Sequence, residues 1–212
     1  MTVAVVDYGV GNLFSVRRAL EQCGAQVAVS AEPEVLLSAS RLVLPGVGAF
    51  ADGMRGLRSD GLDEVVKQFA RSGRPLLGIC LGMQMLATVS EEFGEHRGLD
   101  LIPGRVACLP RADAAGRTYK VPHVGWDDLQ PSASWAGTIL EDVSPGDAIY
   151  SVHSFAVRTE DARHRLAHCV YNGIEVSSAI ARDNVFGVQF HPEKSGAVGL
   201  KIISRFARME AR

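Results

Sequence analysis

Two hydrophobic rhythms divide the chain. In the first part, short runs with nearly every position apolar alternate with stretches in which apolar residues return every three or four positions. Thr2-Val-Ala-Val-Val6, Ser40-Arg-Leu-Val-Leu44 and Pro75-Leu-Leu-Gly-Ile79 are runs of the first kind, the pattern of strands buried on both faces. Leu13, Val16 and Leu20 follow at helical spacing and stop near Gly24, ahead of a strand at Gln26–Val29. Leu62, Val65, Val66 and Phe69 predict another helix ending at Ser72-Gly73. This is a βαβ opening. From Leu101 onward the rhythm shortens. Strands are predicted at Arg105–Leu109, Ala148–Phe155, Leu166–Tyr171, Ile174–Ile180 and Val185–Phe190. The Asn172-Gly173 step between two of them is a hairpin signal. Arg111–Thr118 is small and polar and reads as a surface loop, Pro122 and Gly125 break Tyr119–Trp126 too often for a helix, and a last helix spans Ala197–Met209.

One junction in this pattern carries chemistry. The run ending at Ile79 meets Gly78-Ile-Cys80-Leu-Gly82 and then a helical Met83-Gln84-Met85-Leu86. Strand, sharp turn and helix in that order have the form of a nucleophile elbow, where flanking glycines permit the crowded backbone that displays one side chain above the sheet. A cysteine there stands at a helix N-terminus, whose dipole and free N–H groups favour a thiolate. A thiol nucleophile needs a base, and the base needs an orienting group. Gln189-Phe-His191-Pro-Glu193 supplies both. Read as an extended segment, it turns His191 and Glu193 to one side. Buried packing remains the alternative for Cys80 taken alone.

Other motifs are weaker. Gly9-x-Gly11 lacks the third glycine of a dinucleotide loop, and no Gly-Lys-Ser/Thr follows, so a plain strand-to-helix turn is expected. His164 and His168 are four apart but lack the partners of a zinc helix, and His123 and His153 are read first as structural. Pro45-Gly-Val-Gly48 fits either an ordinary turn or a loop whose peptide N–H groups face an oxyanion.

Composition narrows the function classes. The 212 residues suffice for one α/β domain over 1–212. A net charge of −2, with no basic run, gives no footprint for nucleic acid or an anionic membrane. No apolar stretch is long enough to span a bilayer, and the N-terminus has no signal-peptide pattern, so a cytoplasmic location is expected. Four cysteines without a C-x-x-C pair read as reduced thiols. No metal and no cofactor are expected.

Pro45-Gly-Val-Gly48, Gly78-Ile-Cys-Leu-Gly-Met-Gln84 and Gly187-Val-Gln-Phe-His-Pro-Glu-Lys-Ser195, in that order, resemble the class I glutamine amidotransferases. Within that class, Asp7-Tyr-Gly-Val-Gly-Asn-Leu13, Val121-Pro-His-Val-Gly-Trp126 and Tyr150-Ser-Val-His-Ser-Phe155 are similar to the glutaminase subunits of imidazole glycerol phosphate synthase. The resemblance implies a flavodoxin-like three-layer α/β fold with a central, mostly parallel mixed sheet. It implies that Cys80 attacks the side-chain amide of L-glutamine, His191 passes the proton to ammonia and Glu193 orients His191. The oxyanion hole would come from Leu81 and the Gly46-Val47-Gly48 loop. Gln84, Glu92, Ser154 and Phe155 would hold the substrate. The implied partner is a (βα)₈-barrel cyclase subunit in a heterodimer, receiving ammonia for imidazole ring formation in histidine biosynthesis, with Trp126 and Tyr150 at the contact. Asp127 stands where that family usually has asparagine, and Ser151 where it has an aromatic. Other readings are a glutaminase serving pyridoxal phosphate or anthranilate synthesis, a partnerless γ-glutamyl hydrolase, and a non-catalytic flavodoxin-like module.

Overall fold

The computed structural model describes residues 2–112 and 116–211. The buried run predicted at the N-terminus forms β1 (Thr2–Val6), followed by α1 (Leu13–Gln22), β2 (Gln26–Ser30), α2 (Pro33–Ser38) and β3 (Arg41–Leu44). Next come α3 (Phe50–Ser59), α4 (Leu62–Arg71), β4 (Leu76–Ile79) and the five-residue α5 (Leu81–Met85). Strand alternation sorts β1 between two layers. Val3 and Val5 pack with Val16 and Leu20 of α1, while Ala4 and Val6 pack with Leu36, Phe50, Leu57 and Phe69 of α2, α3 and α4. A strand covered on both faces has no polar face to show, which explains its unbroken apolar run.

The second half adds β5 (Val89–Ser90), β6 (His96–Arg97), β7 (Gly104–Cys108), β8 (His123–Asp128), β9 (Gln130–Pro131), β10 (Ala148–His153) and β11 (Phe155–Thr159). β12 (Arg165–Tyr171), β13 (Ile174–Arg182), β14 (Val185–Val188) and α6 (Gly196–Arg208) complete it. Among the described residues, one eight-stranded sheet runs β2-β1-β3-β4-β14-β13-β12-β9. The strands from β2 to β14 pair in parallel and the remaining three are added antiparallel. Ile202, Ile203 and Phe206 of α6 cover the same face as α1. The expected α/β fold with a mixed central sheet is the one observed.

One local expectation is corrected, the single strand at Ala148–Phe155, and others gain detail. α2 and α3 are additional to the expected helices, because Glu32-Pro33 and the glycines in Phe50–Ser59 obscure their periodicity. Ala148–Phe155 is not one strand: the chain leaves the β8–β10 ribbon at Ser154 and enters the sheet β11-β7-β5-β6. Tyr119–Trp126 leads into a strand, β8. Helix geometry also fails between His164, in a single 3₁₀ turn, and His168, in β12, so their spacing does not align them. The Asn172-Gly173 hairpin forms with both residues at positive φ, 53° and 77°, as a type I′ turn requires. Of the Arg111–Thr118 loop, residues 113–115 lie outside the described residues, and Ala112 and Thr118 bridge around them.

Glycine is required where α5 meets the sheet. A Cβ on Gly78 would lie 2.7 Å from the Gly82 backbone, and one on Gly82 would penetrate the Leu44 carbonyl. In contrast, a Cβ on Gly125 in β8 meets nothing within 4 Å. Gly82→Ala should therefore destabilise the chain by at least about 3 kcal/mol in urea unfolding, the upper range for overpacking against immobile backbone. Gly125→Ala should stay within about 0.5 kcal/mol. Equal effects would show that the backbone approach does not limit the site.

Candidate active site

Cys80 terminates β4, whose neighbours β3 and β14 place it at the carboxyl end of the sheet's parallel part. This is where open α/β sheets leave a crevice for ligands. Its backbone, φ 55° and ψ −111°, is the strained conformation of an elbow, and its carbonyl accepts the first hydrogen bond of α5 from Gln84 N. The peptide is pinned from below by Cys80 N donating to Val188 O at 2.8 Å. Cys80 is 8% exposed, enough to face a cavity of about 270 Å³. Val47, Gly48, Leu81, Gln84, Glu92, His153, Ser154, Phe155 and His191 share that cavity.

His191 and Glu193 meet as expected, though by a different route. Pro192–Lys194 is a 3₁₀ turn rather than an extended segment, and it brings Glu193 Oε1 to 2.9 Å from His191 Nδ1. Proline holds the first turn position, where its missing N–H costs nothing. Glu193's side chain is 1% exposed, so the pair is shielded from solvent. Burial alone would lower the His191 pKa. Its hydrogen bonds to Cys80 and Glu193, and their charges, overturn that and hold it at about 9.

The proposed oxyanion and substrate residues divide into two groups. Val47, Gly48 and Leu81 line the cavity, with Gly48 at φ 96°. Gly46 does not. It lies against Tyr8, Leu81 and Gly82, so close that a side chain there would strike all three. The loop's first glycine is used for packing on α5. Gln84, Glu92, Ser154 and Phe155 all reach the cavity. Gln84 Nε2 donates to Phe155 O and Gln189 Oε1, each at 3.1 Å. Glu92 Oε2 accepts from Phe50 N at 2.6 Å, at the start of α3. Trp126 and Tyr150 lie outside the cavity lining as a cross-strand pair on the β8–β10 ribbon, with ring centroids 5.8 Å apart and Trp126 60% exposed.

Several supporting residues have no signature in the sequence pattern. Gln189 Nε2 donates to Cys80 Sγ at 3.8 Å, so Gln84, Gln189 and Cys80 form a chain of contacts. Tyr8 Oη donates to Pro45 O at 2.6 Å and fixes the entry to the glycine loop. His153, read as structural, lines the cavity. Burial, then the nearby His123, pushes its pKa down to about 4. Ser195 Oγ donates to His191 O at 2.7 Å and accepts from Tyr150 N at 3.0 Å. Only the motif order hints at Gln189 and Ser195; nothing in spacing points to Tyr8 or His153.

A second grouping of cysteine, histidine and carboxylate exists. His123, Asp127 and Cys169 each bring a ligand atom within 4.8 Å of the others. Cys169 lies inside β12, 1% exposed and without an elbow or a helix N-terminus, and burial pushes its thiol up to about 11. A nucleophile needs the opposite environment. The turn Asp7–Asn12 carries Gly9 and Gly11 at φ 86° and 131°, and Asn12 caps α1 through Ser15 N. That is the strand-to-helix turn expected there.

Comparison with known proteins agrees with this geometry. The family model "Glutamine amidotransferase class-I" matches residues 4–209. A protein of Legionella pneumophila (strain Paris) named imidazole glycerol phosphate synthase subunit HisH 1 is 49% identical over 211 residues, covering 98% of this chain and 99% of its own. The HisH subunit of Geobacter sulfurreducens is 45% identical over 209 residues, with 98% and 99% covered. Among solved structures, PurLQS from Thermotoga maritima superposes with a TM-score of 0.72 at 20% identity, covering 97% of this chain and 96% of that one. A putative GMP synthase protein of Thermoplasma acidophilum gives 0.70 at 19%, covering 99% and 93%. These two likenesses concern the fold. Matched along nearly its whole length by the family model and by both HisH proteins, the chain belongs to the class-I glutamine amidotransferases and, within them, to the imidazole glycerol phosphate synthase HisH family.

Proposed function

We infer that this chain is the glutaminase subunit of an imidazole glycerol phosphate synthase, hydrolysing L-glutamine at Cys80 and handing ammonia to a cyclase subunit. The observation that carries the reading is one small cavity lined by a strained elbow cysteine and by His191, itself bonded to a buried carboxylate. A His191 ring held protonated to about pH 9, with hydrogen bonds to Cys80 and Glu193 raising it, supports pairing this base with that nucleophile.

The chemistry then follows. The Cys80 thiolate attacks the side-chain amide carbon of glutamine, and the carbonyl electrons move onto oxygen. N–H groups of Leu81 and the Val47-Gly48 peptides receive that charge, each donor contributing about 3 kcal/mol in such sites. As the C–N bond breaks, His191 gives its proton to the nitrogen, ammonia leaves and a γ-glutamyl thioester remains. Water attacks the thioester, His191 takes its proton, and glutamate departs as the thiolate re-forms. Glu193 keeps the ring aligned and balances its charge. With both Nε2 hydrogens of Gln84 engaged, its Oε1 is the end available to substrate N–H groups. Glu92 and the Ser154–Phe155 peptide face the amino-acid end.

A partner is implied because released ammonia protonates or diffuses away unless it passes directly to its acceptor. Exposed Trp126 and the half-buried Tyr150 beside it supply an aromatic pair of the kind that anchors interfaces. The occupant we assign is a (βα)₈-barrel cyclase subunit. Among the described residues no helix is long and apolar enough to cross a membrane. The free state of all four cysteines supports a reducing, cytoplasmic setting.

The deciding experiment measures glutamate release by the purified chain, alone and with a cyclase subunit of this synthase. Little turnover alone and strong stimulation by the cyclase are expected; no stimulation would sink the synthase assignment while leaving a hydrolase. Within the triad, Cys80→Ala should lower kcat about 10⁶-fold and Glu193→Gln about 10⁴-fold, the usual gap between a nucleophile and an orienting carboxylate. Equal losses would contradict the assigned roles.

The raised His191 midpoint sets a pH dependence. Protonation is favoured by the fold, so its stabilising contribution is complete below the ordinary value of 6.5 and is lost as pH rises through about 9. An NMR titration should find the ring still protonated at pH 7.5. In Cys80→Ala the midpoint should fall, since the larger of the two raising hydrogen bonds is gone. A ring that is neutral at pH 7.5 in the unaltered chain would refute the ion pair.

A further inference from the structure

The His123–Asp127–Cys169 grouping is independent of the elbow site and takes no part in the chemistry above. Among the described residues it is the one cluster of at least three such side chains with ligand atoms mutually within 4.8 Å. Its donors come from two strands: His123 and Asp127 from β8, and Cys169 from β12. The side chains of His123 and Asp127 are 3% and 9% exposed and touch through Nε2 and Oδ1 at 2.9 Å. That contact leaves His123 Nδ1 and Asp127 Oδ2 buried and without a hydrogen-bond partner. An orphaned imidazole nitrogen and an orphaned carboxylate oxygen on two residues grouped with a thiol give a mixed N, O, S donor set with unused capacity.

The geometry points to a binding site for a divalent transition-metal ion of the zinc type, held by His123, Asp127 and Cys169. Tetrahedral zinc with bonds of about 2.0–2.3 Å spaces its donors roughly 3.3–3.7 Å apart. The observed limit of 4.8 Å lets the three side chains close on an ion by small rotations while the short His–Asp contact opens. Magnesium and calcium are disfavoured, since both take oxygen donors rather than thiolate. The thiol proton is displaced by the metal itself, which deprotonates a coordinating cysteine. Tyr171 stacks on His123 with centroids 3.7 Å apart and fixes the ring plane. A bound ion would clamp β8 to β12, behind the His153 ring that lines the glutamine cavity.

The test uses the full chain carrying Cys80→Ser, which removes the elbow thiol as a competing ligand. Titration with Co²⁺ should give a one-equivalent tetrahedral spectrum with a sulfur-to-cobalt charge-transfer band, displaced by Zn²⁺. Adding Cys169→Ser should abolish that band. Adding Asp127→Asn instead should weaken zinc binding, measured by competition with a chromophoric chelator, by at least the ~10–100-fold that losing even an outer-shell partner costs. Absence of stoichiometric uptake in the Cys80→Ser chain would overturn the site. So would a sulfur band that survives Cys169→Ser, because Cys23 or Cys108 would then hold the metal. Should the Cys169→Ser chain fail to fold, the near-isosteric Asp127→Asn decides alone, and unchanged zinc affinity there refutes the proposal.

Discussion

The active site depends on one close approach, that of the first turn of α5 to the carbonyl end of β3. Gly82 lies against the Leu44 carbonyl with no room for a side chain, and Gly78 lies beneath the Gly82 peptide. Gly46, Gly53 and Gly187 also face α5, each so near that a Cβ would lie within 3 Å of Leu81 or Met83. Five glycines from five segments therefore seat one short helix. The packing explains how a conformation at φ 55° is held at Cys80, since a strained residue persists only where its surroundings over-determine it. It also fixes the distance between Cys80 and the Val47-Gly48 loop. The loop begins at the residue after Leu44, and Tyr8 ties that point from the other side.

From this seat the remaining chemistry is delivered by backbone rather than by long side chains. β14 runs beside β4, so Val188 receives the Cys80 N–H and the next three residues carry Gln189 and His191 to the cysteine. His191 is then gripped from the β8–β10 ribbon. Its N–H donates to Tyr150 O, and Ser195 joins Tyr150 N to His191 O. Tyr150 pairs with Trp126 across that ribbon. A shift of the ribbon under the proposed partner docking would thus have a short, hydrogen-bonded route to His191. That is a physical basis for coupling partner binding to hydrolysis without any movement of the elbow.

What the chain discloses in advance follows from which interactions are local. Thr2–Val6 and Leu62–Phe69 are legible because burial on both faces, or on one helical stripe, imposes a period that no other structure shares. The elbow is legible because only glycine satisfies its two backbone approaches, so the physics is written in residue identity. The His191–Glu193 pair is only half legible. The two residues do adjoin, but through a 3₁₀ turn begun by Pro192. Breaks such as Ser154 stay hidden because a chain changing sheets keeps its alternation while its partners change. Tyr8, the Gln189–Cys80 contact and the β8–β12 cluster have no local period for a related reason. Each acts across a gap of tens of residues, and no local period records it.

The two buried cysteines show how environment, rather than residue type, divides roles. Cys80 and Cys169 are both nearly inaccessible, and each lies near a histidine and a carboxylate. Cys80 ends a strand at the start of a helix, with an amide N–H of Gln189 directed at its sulfur, so negative charge there meets donors. Cys169 sits mid-strand with Asp127 as a neighbour, and added negative charge there meets a carboxylate, which with burial drives its pKa upward. The same carboxylate that forbids a free thiolate would favour one shared with a cation. The fold thus gives one thiol a helix N-terminus and an amide donor, and the other deep burial and a carboxylate neighbour.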